Sequence, residues 1–150
     1  MSLNMLKTQN FENHAKYYPL HHFFILPLAL IFLGWTVVRM DFSNSEAISD
    51  SLYQFLLAFT LFLISYLPRI YALKNQNRII RLEMRQRFHE ITGTQFYEKE
   101  KLLNSAQIIA LRFAGDEELL PLMDKAVKEN TSPKEIKKNI KNWKADHHRV

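Results

Sequence analysis

The sequence predicts an all-α chain: a two-span transmembrane helical hairpin followed by a cytoplasmic amphipathic helix and a small helical tail. Three observations predict it. Positions 17–38 hold no Asp, Glu, Lys or Arg, a run of 22, and positions 51–68 hold none either, a run of 18. A spanning helix needs roughly 20 mostly apolar residues, because the hydrocarbon core is about 30 Å thick. Beyond position 68 the apolar residues recur at helical spacing. Only three glycines occur, Gly34, Gly93 and Gly115, which disfavours the repeated Gly turns of many β proteins. The mean hydropathy of −0.21 hides this pattern by averaging the blocks with a polar tail.

Residues 1–19 read as an N-terminal cytoplasmic or interfacial segment, polar and mixed, with Lys7, Glu12 and Lys16. Residues 20–68 form the hairpin, with spans at about 20–39 and 51–68. Pro27 falls inside the first span, where neighbouring groups can re-satisfy the freed carbonyl. A signal peptide is the rival reading. Against it stand the long preceding segment with Glu12, the lack of a small-x-small cleavage site and the second span close behind. The connector 39–50, RMDFSNSEAISD, has the Ser, Asn and Asp content of a loop and carries a net charge of −2.

Residues 69–150 form a basic tail with 17 of the 20 Lys and Arg residues and 11 of the 15 acids. Basic residues are retained on the cytoplasmic side, so both termini are expected there and the acidic connector opposite. Tyr17, Tyr18, Tyr66 and Tyr71 would mark the inner interface, and Trp35 and Tyr53 the outer one. The competing reading is a buried hairpin in a soluble protein, but so short a chain has little else to cover two such runs.

The tail continues as a helix over 69–91 and stops at Thr92-Gly93. Pro68 is expected to kink its exit from the span. Leu73, Ile80, Met84 and Ile91 share one face of this helix. Lys74, Arg78, Arg81 and Arg85 stack about a quarter turn away. Three short helices should follow. Asn104 with Gln107 suits a capping pair before Ile108 and Leu111. Gly115 permits a turn, and Asp116, Glu117 and Glu118 suit a helix start, with Pro121 arguing for a later one. Leu120, Met123 and Val127 would form that helix's apolar face. Ser132-Pro133-Lys134-Glu135 combines a cap, a first-position proline and an acid at the third position. Ile136, Ile140 and Trp143 then fall on one stripe. Each stripe is too short to stand alone and should pack on the others.

The row Lys74, Arg78, Arg81 and Arg85 is the candidate site for contact with anionic lipid or an acidic partner, since clustered bases beside a span attract anionic head groups at roughly 1 kcal/mol each. Glu98, Glu100 and Asp116–Glu118 are internal candidates for that acidic partner. A solvated row that only sets topology is the alternative. Lys134, Lys137, Lys138, Lys141 and Lys144 form a second basic face, but acids interleave elsewhere and no reading motif accompanies it, so nucleic acid is disfavoured as a partner. No cysteine exists for thiolate chemistry. His21 and His22 diverge on a helix, and His14 lies seven residues before His21, a weak metal spacing. His89-Glu90 opens like a zinc-protease motif, yet Gly93 stands where its second histidine belongs. His147 and His148 lie near the end of the sequence. Gln54, Thr60 and Ser65 are the polar groups of the second span and are expected to bridge helices. No catalytic residues, cofactor or metal set can be assembled, so no enzyme is expected.

The segments HHFF at 21–24, ALKNQNRIIRLEMR at 72–85, IALRFAGDEEL at 109–119 and IKKNIKNW at 136–143 together resemble a family of small bacterial two-span membrane proteins, a domain of unknown function. Its members sometimes carry a transporter permease label, which these residues do not support. The resemblance implies a multi-pass protein of the bacterial cytoplasmic (inner) membrane. An acid is usual in that family where Asn77 and Met84 stand, so pairing based on those positions does not carry over. Two roles remain open: a membrane-anchored helical interaction or scaffold protein, and a small accessory subunit of a membrane transport complex. Anionic membrane lipids, a second copy of the chain or a larger membrane protein are the expected partners.

Overall fold

The computed structural model describes residues 9–14 and 17–146; Lys7, Lys16, His147 and His148 lie outside the described residues. A π-helical turn (His21–Ile25) leads into α1 (Leu26–Val38). Then follow α2 (Ser45–Thr92), α3 (Tyr97–Lys101), α4 (Ser105–Leu111), α5 (Asp116–Glu129) and α6 (Pro133–Asn139). No strand occurs among the described residues; an isolated antiparallel bridge joins Ala114 to Trp143. The chain divides into two compact units, Tyr17–Lys74 and Asn75–Val150 with Met1–Lys16. The described N-terminal residues therefore belong with the tail, and α2 contributes to both units.

In the first unit two helices are long and apolar enough to cross a membrane. The π turn explains how Pro27 is accommodated. Pro27 cannot donate to the carbonyl four residues back, and the wider turn before it lets the Leu26 N–H reach the His21 carbonyl instead. The loop between the helices is shorter than its composition suggests. Asn44 starts α2 by accepting from the Ala47 N–H at 2.9 Å, so positions 45–50 are helical rather than loop. The Asp41 carboxylate accepts from the Ser43 N–H at 2.9 Å, and that bond holds its pKa below the usual value.

Pro68 sits inside α2 without ending it. Thr60 and Ser65 do not bridge helices; their hydroxyls donate to the Leu56 and Phe62 carbonyls of the same helix at 2.8 and 2.7 Å. A hydroxyl in an apolar helix finds its nearest acceptor one turn back. Gln54 is exposed. Thr36 and Ala58 are the buried positions of this unit, at 3% and 0% exposure.

The second unit has its own core. Ile80, Met84 and Phe88 of α2 pack with Ile108 and Leu111 of α4, Leu119 and Met123 of α5, and Ile136 of α6. Phe96, Phe113 and Ile140 fill the spaces between them. The α2 stripe thus packs within one chain, with Ile91 partly buried and Leu73 outside the core. Four helices follow α2 rather than three, because a short turn at Tyr97–Lys101 precedes the Asn104 cap. That cap forms as the sequence suggests: Gln107 N–H donates to Asn104 Oδ1 and Asn104 N–H to Gln107 Oε1, both at 2.9 Å. Gly93 ends α2 at φ +68°, and Ser132 with Glu135 caps α6 reciprocally.

α5 starts at Asp116 despite Pro121, the sixth residue of the helix, where a proline leaves the carbonyl four residues back without its helical donor. Its buried face is Leu119, Met123 and Ala126, with Leu120 and Val127 at the edge. The expected stripe through Ile140 and Trp143 is not helical. Ile140 is extended at ψ 121°, and the chain turns back along the end of α4. Gly115 N–H donates to the Asn142 carbonyl and Lys144 N–H to the Phe113 carbonyl, both at 2.8 Å. Glu118 secures the return by accepting from the Lys141 and Asn142 N–H groups. Gly115 suits this close approach, because a Cβ would stand 3.1 Å from the Asn142 carbonyl oxygen and push the returning chain outward.

Candidate functional site

The four bases at helical spacing do not behave as one row. Lys74 and Arg78 are exposed. Lys74 lies 5.9 Å from the Tyr71 ring centroid, and Arg78 makes no ion pair among the described residues. Arg81 and Arg85 are joined to one carboxylate, Glu100. Arg85 donates through Nε at 2.7 Å and Nη2 at 3.0 Å, which is the forked contact guanidinium favours. Arg81 Nε is 3.2 Å from the same carboxylate, and its Nη2 donates to Ser105 Oγ at 2.6 Å. The Glu100 hydrogen bond pushes the Arg85 guanidinium still higher in pKa.

Geometry explains the split. Glu100 ends the short α3 against α2, within reach of positions 81 and 85 but not of 74 and 78. The Glu100 side chain is only 10% exposed, whereas Arg81 and Arg85 remain 41% and 48% exposed. Lys101 adds a third cation beside them, 4.0 Å from the Tyr97 ring centroid and 3.2 Å from Glu98 Oε1. Arg81, Arg85, Lys101, Glu100 and Tyr97 line an open basin of about 240 Å³. The two arginines there share Glu100, and Lys101 has Glu98 beside it.

A second basic group was not legible as such. Arg87 is buried on the core face of α2. It donates to the Ala114 carbonyl at 2.5 Å, the Arg112 carbonyl at 3.2 Å and Asp116 Oδ1 at 2.5 Å. Arg87 thereby satisfies carbonyls that the end of α4 leaves open. Its hydrogen bond holds the Asp116 carboxyl below the usual aspartate range, and Lys144 at 3.7 Å acts in the same direction. Arg112 pairs with Asp146 at 3.1 Å. A cleft of about 310 Å³ lies here, lined by Glu83, Glu90 and Asp146 together with Arg87, Arg112 and Lys144. Its signs are balanced, so it prefers no charged ligand.

The expected second basic face breaks up. α6 carries Lys134, Lys137 and Lys138 but ends before Lys141 and Lys144. Lys137 Nζ meets His14 Nε2 at 3.0 Å, and Lys138 lies 5.8 Å from the Phe11 ring centroid. Residues 9–14 are thus docked on this unit. His14 packs beside Phe113 and Trp143, with ring centroids 5.8 and 5.9 Å away, and Gln9 Oε1 accepts from the Asp146 N–H at 2.7 Å. His21 stacks edge-on against His22 at 5.2 Å. No group of three His, Asp or Glu side chains able to hold a metal occurs among the described residues.

Comparison with known proteins agrees with the resemblance in the motif segments. No curated protein and no solved structure matches the chain. A family model described as a family of unknown function, DUF6526, matches residues 5–150. With nearly every residue inside that match, the chain belongs to the DUF6526 family of unknown function.

Proposed function

We propose that this protein is a membrane-anchored helical interaction protein. Its hairpin crosses the bilayer, and its tail unit presents basic side chains to anionic lipid. The observation that carries the reading is the contrast in burial. Only 6% of each apolar helical window is buried inside the protein, so the hairpin's apolar surface needs an apolar solvent. The tail unit, by contrast, covers its own core.

Both ends on one side of the membrane is supported independently. Residues 9–14 pack against Phe113, Trp143 and Lys137, which requires an even number of crossings between them. The basic excess of the tail favours the cytoplasm as that side, and the family resemblance favours a bacterial inner membrane. The lipid-contacting residues are Lys74 and Arg78. They are exposed and make no ion pair among the described residues, and together they add about 2 kcal/mol of attraction to an anionic surface at low salt. The reading involves no catalytic step.

The test is lipid retention by the full-length protein. Purified in mild detergent and exchanged against equal phosphatidylcholine and phosphatidylglycerol, the wild type should retain the anionic lipid in native mass spectrometry. Lys74→Gln with Arg78→Gln should lose that preference. Equal retention by both proteins would sink the lipid contact. A larger polytopic protein co-eluting in stoichiometric amount would replace it with an accessory-subunit role.

A further inference from the structure

We propose that Arg81, Arg85 and Lys101 form a binding site for phosphate monoester groups, in which the Glu100 carboxylate occupies the seat as an internal competitor. The proposal deepens the anionic-lipid reading by naming a second site and its chemistry.

The seat's fit to an oxyanion is visible in the protein itself. Glu100 places one oxygen 2.7 Å from Arg85 Nε and the other 3.0 Å from Arg85 Nη2 and 3.2 Å from Arg81 Nε. Two guanidinium groups therefore already converge on one planar anion. Forked N–H geometry serves carboxylate and phosphate alike. Both arginines keep outward N–H groups, and at 41% and 48% exposure they are open to a ligand from solvent. Ser105 Oγ accepts from Arg81 at 2.6 Å and retains its own proton for a phosphate oxygen. Lys101 borders the same basin, held by contacts to Tyr97 and Glu98 of its own helix that leave it half exposed.

Charge decides the class of ligand. Glu98 pairs with Lys101, so the three cations exceed the remaining carboxylate by two only once Glu100 leaves the seat. A phosphodiester brings one negative charge and offers nothing that the tethered carboxylate does not already supply. A phosphate monoester carries about −1.5 to −2 at neutral pH and three acceptor oxygens. It alone matches the surplus and reaches both arginines and Lys101 together. Glu100 then swings out of the seat, and α3, which it anchors to α2, is released with it. The internal carboxylate sets a threshold, so singly charged anions leave the contact closed.

The test uses the full-length protein with two probes. Inorganic phosphate is titrated against the protein in neutral detergent, and phosphatidic acid is offered in phosphatidylcholine nanodiscs. Glu100→Gln should bind at least about fivefold more tightly than the wild type, because a charge-assisted competitor has been removed and tenfold corresponds to about 1.4 kcal/mol. Lys101→Gln, which leaves the arginine–glutamate contact intact, should bind at least about threefold more weakly. The gain in the phosphatidic acid arm alone assigns a lipid headgroup, and the gain in both arms assigns a soluble phosphate compound as an equal ligand. Glu100→Gln binding no tighter than wild type in either arm, with Lys101→Gln unchanged, overturns the site. That failure leaves the phosphatidylglycerol preference of Lys74 and Arg78 untouched, so the two readings fail separately.

Discussion

Phe59 and Phe113 are the same side chain in opposite surroundings. Phe59 lies in the first unit and is 40% exposed, while Phe113 lies in the second and is fully buried. The pattern extends to their neighbours. Phe23, Ile31, Trp35, Tyr53 and Ile64 of the first unit are each more than 60% exposed, whereas Leu111, Leu119 and Met123 of the second are sealed at 0%. Water would penalise the first arrangement at about 25 cal/mol for every Å² of apolar surface. The difference teaches that apolar content alone does not define a core. The second unit removes its apolar groups from water by packing, and the first leaves them at its surface, which is the arrangement the proposed membrane insertion would satisfy. Polar groups follow the same division. Thr36, Thr60 and Ser65 turn inward to carbonyls of their own helices, while Arg87 and Gln107 connect separate elements of the second unit.

The sharpest way to break the comparison is to ask which side of a membrane each unit's polar parts face. The chain contains no cysteine, so single introduced thiols report without background. Ser43→Cys in the connector should react with an impermeant maleimide in intact cells. Lys128→Cys, exposed on α5, should react only after permeabilisation. The expected contrast is all or none. Equal labelling of both positions in intact cells would remove the hairpin topology.

Cavity formation gives the next largest effect. Phe113→Ala should destabilise the second unit by about 3–5 kcal/mol, the usual cost of emptying a sealed aromatic site. Phe59→Ala, on an exposed face, should change that unit's unfolding by less than about 0.5 kcal/mol. Trp143 sits 5.1 Å from the Phe113 ring and reports the transition by fluorescence, with Trp35→Phe as background. Similar losses in both variants would show that the two units unfold as one.

Much of this division was legible because it rests on period and charge. The two charge-free runs are each continuous in sequence and fall almost wholly in helices, and the Asn104, Ser132 and Gly93 signals each depend on residues within about one helical turn and are found in the structure. What was missed depends on contacts distant in sequence. The stripe through Ile140 and Trp143 was extrapolated past α6, because nothing local shows that Gly115 and Phe113 offer backbone partners to residues 142 and 144. Glu100 was named among several acids, but only the placement of α3 selects it for Arg81 and Arg85. Arg87 did carry a signal. It stands three residues after Met84 and four before Ile91, on the apolar stripe itself, and a charge there implies a buried partner. The docking of Phe11 and His14 has no comparable mark in so short and polar a segment.

The smallest expected effect separates charge from packing at that buried arginine. Asp116 hydrogen-bonds Arg87, and its carboxyl is held below the ordinary aspartate pKa of about 4. A carboxyl lowered in the folded state contributes stability above its ordinary value and loses it as the pH falls through the lowered one. The group is 58% exposed, so solvent screening limits the contribution to about 1 kcal/mol or less. Asp116→Asn should therefore lower the urea midpoint of the second unit modestly at pH 7. The gap from wild type should narrow steadily below pH 4 and close once the native carboxyl is protonated. Raising the salt at pH 7 should narrow it as well. No gap at pH 7 would mean that Arg87 draws its worth from the Arg112 and Ala114 carbonyls alone. The ion pair would then be incidental to a hydrogen-bonded clamp on the end of α4.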